Sequence, residues 1–207
     1  FKSRSGDTVR LVDLLDTSKS VMFSQLQTRA AEGKTPLKED ELDSVASCIG
    51  YGAVKYFDLK QNPITNYVFS YDRMLDTRGD TAVYLLFSYA RIASILRKGE
   101  EEREIDMKVL CSSSSVIHIE EPSERALAFE ILQFSDILQS AMEDLSPNKL
   151  CDYLNTMSVR VADFVTKCHV LNASEAEQAS RLQLCVASKS VMSTCFQLLG
   201  IKPLEKI

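Results

Sequence analysis

The apolar and polar positions along this chain alternate with a helical period almost throughout. Leu127, Ile131, Phe134, Leu138, Ala141 and Leu145 recur at steps of 4, 3, 4, 3 and 4, the spacing of one face of an α-helix. Pro122 and Ser123 stand where this helix should begin. A second stripe runs through Leu150, Tyr153 or Leu154, Met157, Val161, Phe164 and Cys168. It predicts a helix opening at Ser146-Pro147, a capping hydroxyl followed by proline at the first helical position. The last segment carries two stripes: Leu184, Ala187, Val191, Cys195 and Leu198, and Leu182, Cys185, Met192, Phe196 and Leu199. So wide an apolar surface predicts a central helix. Ser174 with Glu177 is a capping-box signature at its start. Gly200 ends it and Pro203 prevents it from resuming.

Upstream, Val9 to about Ala31 and Glu39 to about Lys60 read as helices, joined by a linker over 32–38 that contains Gly33 and Pro36. Residues 64–70 alternate in part and read as an extended connector. Gly79-Asp80-Thr81 opens a helix predicted to reach Lys98 and to stop at Gly99. A charged helix from about Glu100 to Leu110 and a loop over 111–121 follow. No β-α alternation and no fixed repeat are present. The prediction is all-α: a helical connector over 1–78 and a helical bundle over 79–207.

Composition narrows the function classes. The 207 residues are 45% apolar and 26% charged, which excludes a disordered chain, a collagen-like repeat and a disulfide mini-protein. No uninterrupted apolar run is long enough to span a membrane. Lys and Arg total 24 against 29 Asp and Glu, a net charge of −5, which argues against a nucleic-acid partner, DNA included, because phosphate binding usually leaves a basic footprint. The six cysteines form no C-x-x-C pair and no metal-ligand spacing with histidine, so they read as reduced, largely buried thiols and point to the cytoplasm. The chain opens Phe1-Lys2-Ser3-Arg4 without Met or an apolar signal, and is expected to be a piece of a larger protein.

Catalytic patterns are scarce. There is no P-loop, G-x-G-x-x-G or G-x-S-x-G. His118 and His169 have no partner acid nearby in the sequence, and the acidic run around Glu100–Glu104 is most simply a solvated helix face. The best binding candidate is the helix after Gly79. Tyr84, Phe87, Arg91 and Lys98 share one face, while Leu85, Tyr89, Ile92 and Leu96 suit a core. Aromatics interleaved with cations suit unstacked bases and their phosphates. The competing reading is that Tyr84 and Phe87 simply pack, the commoner fate of aromatic stripes.

Several runs are specific. Tyr51-Gly-Ala-Val-Lys-Tyr-Phe-Asp-Leu59, Asn66-Tyr-Val-Phe-Ser-Tyr-Asp-Arg-Met-Leu75, Gly79-Asp-Thr-Ala-Val-Tyr-Leu-Leu-Phe-Ser-Tyr-Ala-Arg91 and Leu198-Leu-Gly-Ile-Lys-Pro-Leu-Glu-Lys-Ile207 together resemble the arginyl-tRNA synthetases, in the style of the eukaryotic cytosolic branch. That resemblance covers essentially the whole chain. It implies a class I, ATP-dependent ligase that activates L-arginine and transfers it to tRNA-Arg, with ATP and Mg2+ used by the full-length enzyme and no cofactor held by this chain alone. The run Phe1-Lys-Ser-Arg-Ser-Gly6 is similar to the family's counterpart of the Lys-Met-Ser-Lys-Ser loop, which makes Lys2 and Arg4 its ATP contacts, offsetting charge on a pyrophosphate leaving group. Ser5 stands in place of the loop's usual second lysine. The nucleotide fold and arginine pocket would lie upstream, so the chain by itself is expected to be inactive. Residues from 79 onward resemble the anticodon-binding bundle named for an Asp-Ala-Leu-Arg motif. The resemblance makes Tyr84, Phe87 and Arg91 anticodon contacts and puts Ile207 at the family's terminal apolar position. Val165 occupies the place of a family tyrosine, with His169 close by in sequence. Residues 9–78 would brace the inner corner of the tRNA, and membership of a multi-synthetase complex is open. The alternative is a non-catalytic all-α interaction scaffold derived from a synthetase, which would have no need of the Phe1–Gly6 loop.

Overall fold

The computed structural model describes residues 10–112 and 116–207; Lys2, Arg4 and the rest of the Phe1–Gly6 loop lie outside them. The described residues are all-α, with no strand among them.

Two long helices, α1 (Leu11–Ala31) and α2 (Leu42–Leu59), form an antiparallel hairpin whose turn contains Gly33 at φ 66°. α1 buries only Ser18, Met22 and Leu26, a stripe with four-residue spacing. The two backbones nearly touch at one point. A Cβ on Gly50 would sit 2.8 Å from the Lys19 amide nitrogen and 2.9 Å from the Ser18 carbonyl carbon, so only glycine permits this crossing. The extended connector over 64–70 is pinned by ring edges. Phe57 meets Tyr67 at 5.8 Å and Phe69 at 5.5 Å, and Phe69 meets Tyr71 at 4.9 Å, favoured T-shaped pairings. Tyr71 opens the single turn α3 (Tyr71–Met74).

The helix predicted to stop at Gly99 does not stop there. α4 spans Ala82–Arg103 and ends at Glu104, which adopts φ 54°. Gly99 serves proximity instead: a Cβ there would lie 2.7 Å from Met107 Cε. The charged stretch is therefore split between the last turn of α4 and α5 (Met107–Ser112). Asp106 Oδ1 caps α5, accepting from the amides of Lys108 (2.8 Å) and Val109 (3.2 Å).

The single helix predicted from Pro122 to Leu145 is two, α6 (Pro122–Leu132) and α7 (Phe134–Glu143), parted at Gln133. Both pack on α8 (Pro147–Lys167). Leu127 and Ala141 are buried as the stripe predicts, but Leu145 is 83% exposed. Leu145 has left the helix: at φ 52° it takes the left-handed capping position, with Ser146 N–H bonded to the Ala141 carbonyl at 3.0 Å and Leu145 N–H facing the Met142 carbonyl at 3.4 Å. Glycine usually fills that position. Ser146 spends its hydroxyl on the Asp144 carbonyl instead of capping α8. The α8 stripe from Leu150 to Cys168 is buried throughout.

α9 (Glu175–Leu198) packs against α4, α6 and α8 and is central, as its double stripe predicts. The capping box of Ser174 and Glu177 forms. Gly200 at φ 67° closes the helix, with Ile201 N–H bonded to the Phe196 carbonyl and Gly200 N–H to the Gln197 carbonyl. α6 and α9 are joined by an ion pair shielded from water. Arg181 Nε donates to Glu124 Oε1 at 2.6 Å, with side-chain exposures of 9% and 3%. Glu124 Oε2 also accepts from the amides of Glu120 (2.9 Å) and Glu121 (3.0 Å). Burial pushes the Glu124 carboxyl up, but Arg181 and the two amides outweigh it and hold the group below its ordinary value.

Three outcomes follow from these local geometries. Leu145→Gly should stabilise the chain by about 1 kcal/mol, since a left-handed L-residue costs roughly that much and Leu145 buries little; urea unfolding measures it. Glu124 has a depressed folded pKa, so its stabilisation is complete above the unfolded carboxylate value and is lost as pH falls through the folded one. Unfolding midpoints recorded from pH 7 down to 3 should therefore fall more steeply in the parent chain than in Glu124→Gln. At pH 7, Glu124→Ala should cost about 3 kcal/mol, because Arg181 loses its close, shielded partner and keeps, among the described residues, only Glu177 at 3.3 Å, while the amides of Glu120 and Glu121 lose their acceptor.

Candidate nucleic-acid interface

The start of α4 is set by a polar joint that the Gly79-Asp80-Thr81 turn supplies. Asp80 Oδ1 accepts from the Tyr56 hydroxyl at 2.5 Å, and Oδ2 from Lys60 Nζ at 3.0 Å. Lys60 also donates to the Asp80 carbonyl at 2.6 Å, and the Cys151 carbonyl lies 3.1 Å from the Tyr56 hydroxyl. Asp80 thus joins α2 to the start of α4, and the Tyr56 hydroxyl extends the joint to α8. Burial, reinforced by Asp80, drives the Tyr56 phenol far above its ordinary value, so it remains a donor. Asp152 is also raised, by burial first and by the Asp80 charge second, with Lys60 opposing. Gly79 turns the chain at φ 76°. Thr81 Oγ1 caps α4, accepting from the Tyr84 amide at 3.2 Å and donating to the Asp76 carbonyl at 2.6 Å.

From this start α4 presents two faces. Leu85, Tyr89, Ile92 and Leu96 are buried as predicted. The Tyr89 ring meets Phe196 edge-on at 5.9 Å. On the other face Tyr84 and Phe87 are half-buried against the rim of the core, while Arg91 and Lys98 reach solvent. Each ring packs in part against the core, and each keeps an open portion. Sequence reasoning missed one member of this face. The Arg29 guanidinium, near the end of α1, stands 4.9 Å from the centre of the Phe87 ring. Its Nη2 donates to the Lys34 carbonyl at 3.2 Å, while its buried Nε finds no acceptor. The pair comes from two helices distant in sequence, so no local periodicity signals it. A cation above an aromatic face is attracted by the ring quadrupole.

Ile207 is only 7% exposed and packs in the main core rather than on the open side of α4. The tail leading to it is tied down by Glu205, which pairs with Lys189 at 2.9 Å and lies 3.3 Å from the Tyr89 hydroxyl. Val165 is half-buried and His169 exposed at the end of α8. Cys151, Cys185 and Cys195 are buried, and burial pushes each thiol up to about 12. Cys168 is buried as well, Cys48 half-buried and Cys111 exposed. Among the described residues, no three His, Cys, Asp or Glu side chains are placed to hold a metal ion, and no helix is long and apolar enough to cross a membrane.

Half-open aromatics beside cations suit unstacked bases and their phosphates. The DALR anticodon binding domain matches residues 85–207. The chain belongs to the DALR anticodon-binding domain family. The catalytic domain of class I tRNA synthetases (R) matches residues 1–71. The chain is 44% identical over 207 residues to the cytoplasmic arginine–tRNA ligase of Arabidopsis thaliana, covering 100% of itself and 34% of that protein. It is 42% identical to the arginine–tRNA ligase of Nostoc punctiforme, with the same coverage. It therefore spans about a third of the length of these relatives. The arginyl-tRNA synthetase structure from Plasmodium falciparum superposes with a TM-score of 0.82 at 30% identity, covering 96% of this chain and 34% of that one. The Thermus thermophilus arginyl-tRNA synthetase shares the fold, with a TM-score of 0.80 at 23% identity over 97% of this chain and 32% of that one. In this DALR chain, residues 72–84, between the two matched ranges, contain the Asp80 joint.

Asp80→Ala should lower stability by about 1–3 kcal/mol, because Lys60 and the Tyr56 hydroxyl lose a charged acceptor. Tyr56→Phe should cost less, about 1 kcal/mol. Urea unfolding followed by circular dichroism checks both.

Proposed function

We propose that the chain is the C-terminal part of an ATP-dependent arginine–tRNA ligase, and that the open face of α4 receives the anticodon loop of tRNA-Arg. The observation that carries this reading is the grouping of Tyr84, Phe87, Arg91 and Arg29 around one exposed strip of a DALR-family helix. The half-buried Tyr84 ring is held by the core yet keeps an open portion for an unpaired base, Phe87 carries the Arg29 guanidinium over its ring, and the guanidinium of Arg91 pairs with phosphate. Ile207 contributes by packing the tail into the core rather than by touching RNA. Residues 1–78 form the signature loop and connector, and 79–207 the anticodon-binding unit. Lys2 and Arg4 contact the phosphates of the substrate ATP, which brings its own Mg2+, while L-arginine and the nucleotide fold belong to the remainder of the parent enzyme, acting in the cytoplasm. No observation favours a non-catalytic scaffold. A net charge of −5 is compatible with RNA binding of this kind, because reading a few splayed bases needs a local face rather than a basic domain.

Filter binding of tRNA-Arg transcripts tests the assignment. Tyr84→Ala should weaken binding by about 1–3 kcal/mol, the worth of one stacked base. Arg91→Ala should weaken it and reduce the slope of log affinity against log salt by about 1. Far-ultraviolet dichroism should stay unchanged in both. Parental affinity in both variants overturns the anticodon assignment.

A further inference from the structure

A groove of about 900 Å3 opens where α6, α7 and α8 meet. Glu130 forms part of its lining and is an unusual residue to find there. It is only 7% exposed. The cation within ion-pair distance of its carboxylate among the described residues is Arg160, at 3.9 Å, beyond hydrogen-bond reach. Its backbone carbonyl is satisfied by the Tyr153 hydroxyl at 2.8 Å; its carboxylate is not satisfied in the same way. The other buried glutamate of α6, Glu124, has an arginine at 2.6 Å and two backbone amides. Glu130 thus has one long ion pair where Glu124 has a close one and two amides, which leaves its carboxylate acceptor capacity toward the groove. Burial raises its carboxyl above the usual range, and Arg160 offsets this only in part.

The rest of the groove says which donor fits. Phe129 is 63% exposed and lines the same space, a ring face suited to a planar guanidinium. Arg160 is itself a guanidinium near this carboxylate. Arg125 and Lys149 also line the groove. Lys149 is committed to Ser140 Oγ at 2.7 Å and to Asp144, while Arg125 is exposed. These cations repel a polycation and leave room for an anion beside the bound guanidinium.

We propose that the α6–α7–α8 groove is a binding site for a guanidinium carried beside a carboxylate, as in a free arginine or the C-terminal arginine of a peptide. The guanidinium donates to Glu130 against the Phe129 ring, and the carboxylate faces Arg125. The site lies on helices other than α4 and does not rest on the anticodon reading.

Isothermal titration of the 207-residue chain tests it with four probes: L-arginine, agmatine, L-citrulline and Gly-Gly-Arg. L-Arginine or Gly-Gly-Arg should bind saturably, and whichever is tighter identifies the free amino acid or the peptide end as the source. Agmatine, lacking the carboxylate, should bind several-fold more weakly, and neutral citrulline should not bind. Glu130→Gln should weaken the better probe about tenfold or more, the worth of a charge-assisted hydrogen bond. Arg125→Ala, at an exposed position, should bring that probe down to the level of agmatine and serves if Glu130→Gln fails to fold. Three results overturn the proposal: citrulline binding as well as arginine, no saturable binding of either arginine probe by about 10 mM, or parental affinity in folded Glu130→Gln and Arg125→Ala. Binding of tRNA-Arg is a separate readout, so loss of the anticodon assignment would leave these titrations unaffected.

Discussion

The Asp80 carboxylate is the point on which the geometry of this molecule turns. It receives Tyr56 and Lys60 from the hairpin of α1 and α2 and immediately precedes the residue that caps α4, and the Tyr56 hydroxyl that it holds also lies 3.1 Å from the Cys151 carbonyl of α8. A partly shielded carboxylate with two strong donors is worth more than a surface ion pair, because each partner left alone would be a desolvated polar group. The joint therefore fixes where α4 begins and how it is rotated. Rotation is what matters for function: it turns Leu85, Tyr89, Ile92 and Leu96 inward and leaves Tyr84, Phe87 and Arg91 on the outside.

Buried charge is used in two different ways on α6. Glu124 is surrounded by donors and ties the helix to α9, so its charge is structural. Glu130 is as deeply placed but undersupplied, and opens onto a groove rather than a partner. The global balance of charge reveals neither. A net of −5 averages over such contrasts, and the electrostatics that matter here act over a few ångströms, well inside a Debye length.

Much of the architecture was legible along the chain. The α8 and α9 stripes, the capping box at Ser174 and the glycine stop at Gly200 depend on neighbours three to five residues away, so local pattern and local structure agree. Expectations departed from the structure where a local signal had a distant cause. Gly99 looked like a stop, yet α4 runs past it, and its bare Cα gives room to the tip of the Met107 side chain. The stripe from Leu127 to Leu145 looked like one helix, but it breaks at Gln133 and both pieces pack on α8. Leu145 kept the helical spacing while its backbone had already turned left-handed.

The amino-acid sequence by itself determined the all-α class, the core faces of the long helices and the candidate face carrying Tyr84, Phe87 and Arg91. Each of these follows from the 3.6-residue period and from capping chemistry, which operate within a few turns. Only the tertiary structure decided that Arg29 of α1 sits over Phe87, that Ile207 is packed away in the core, and that Glu130 is buried without adequate donors. Those are pairings between segments far apart in the chain. They depend on which helix crosses which and at what distance, as at Gly50 where two backbones nearly touch, and no local periodicity encodes that distance.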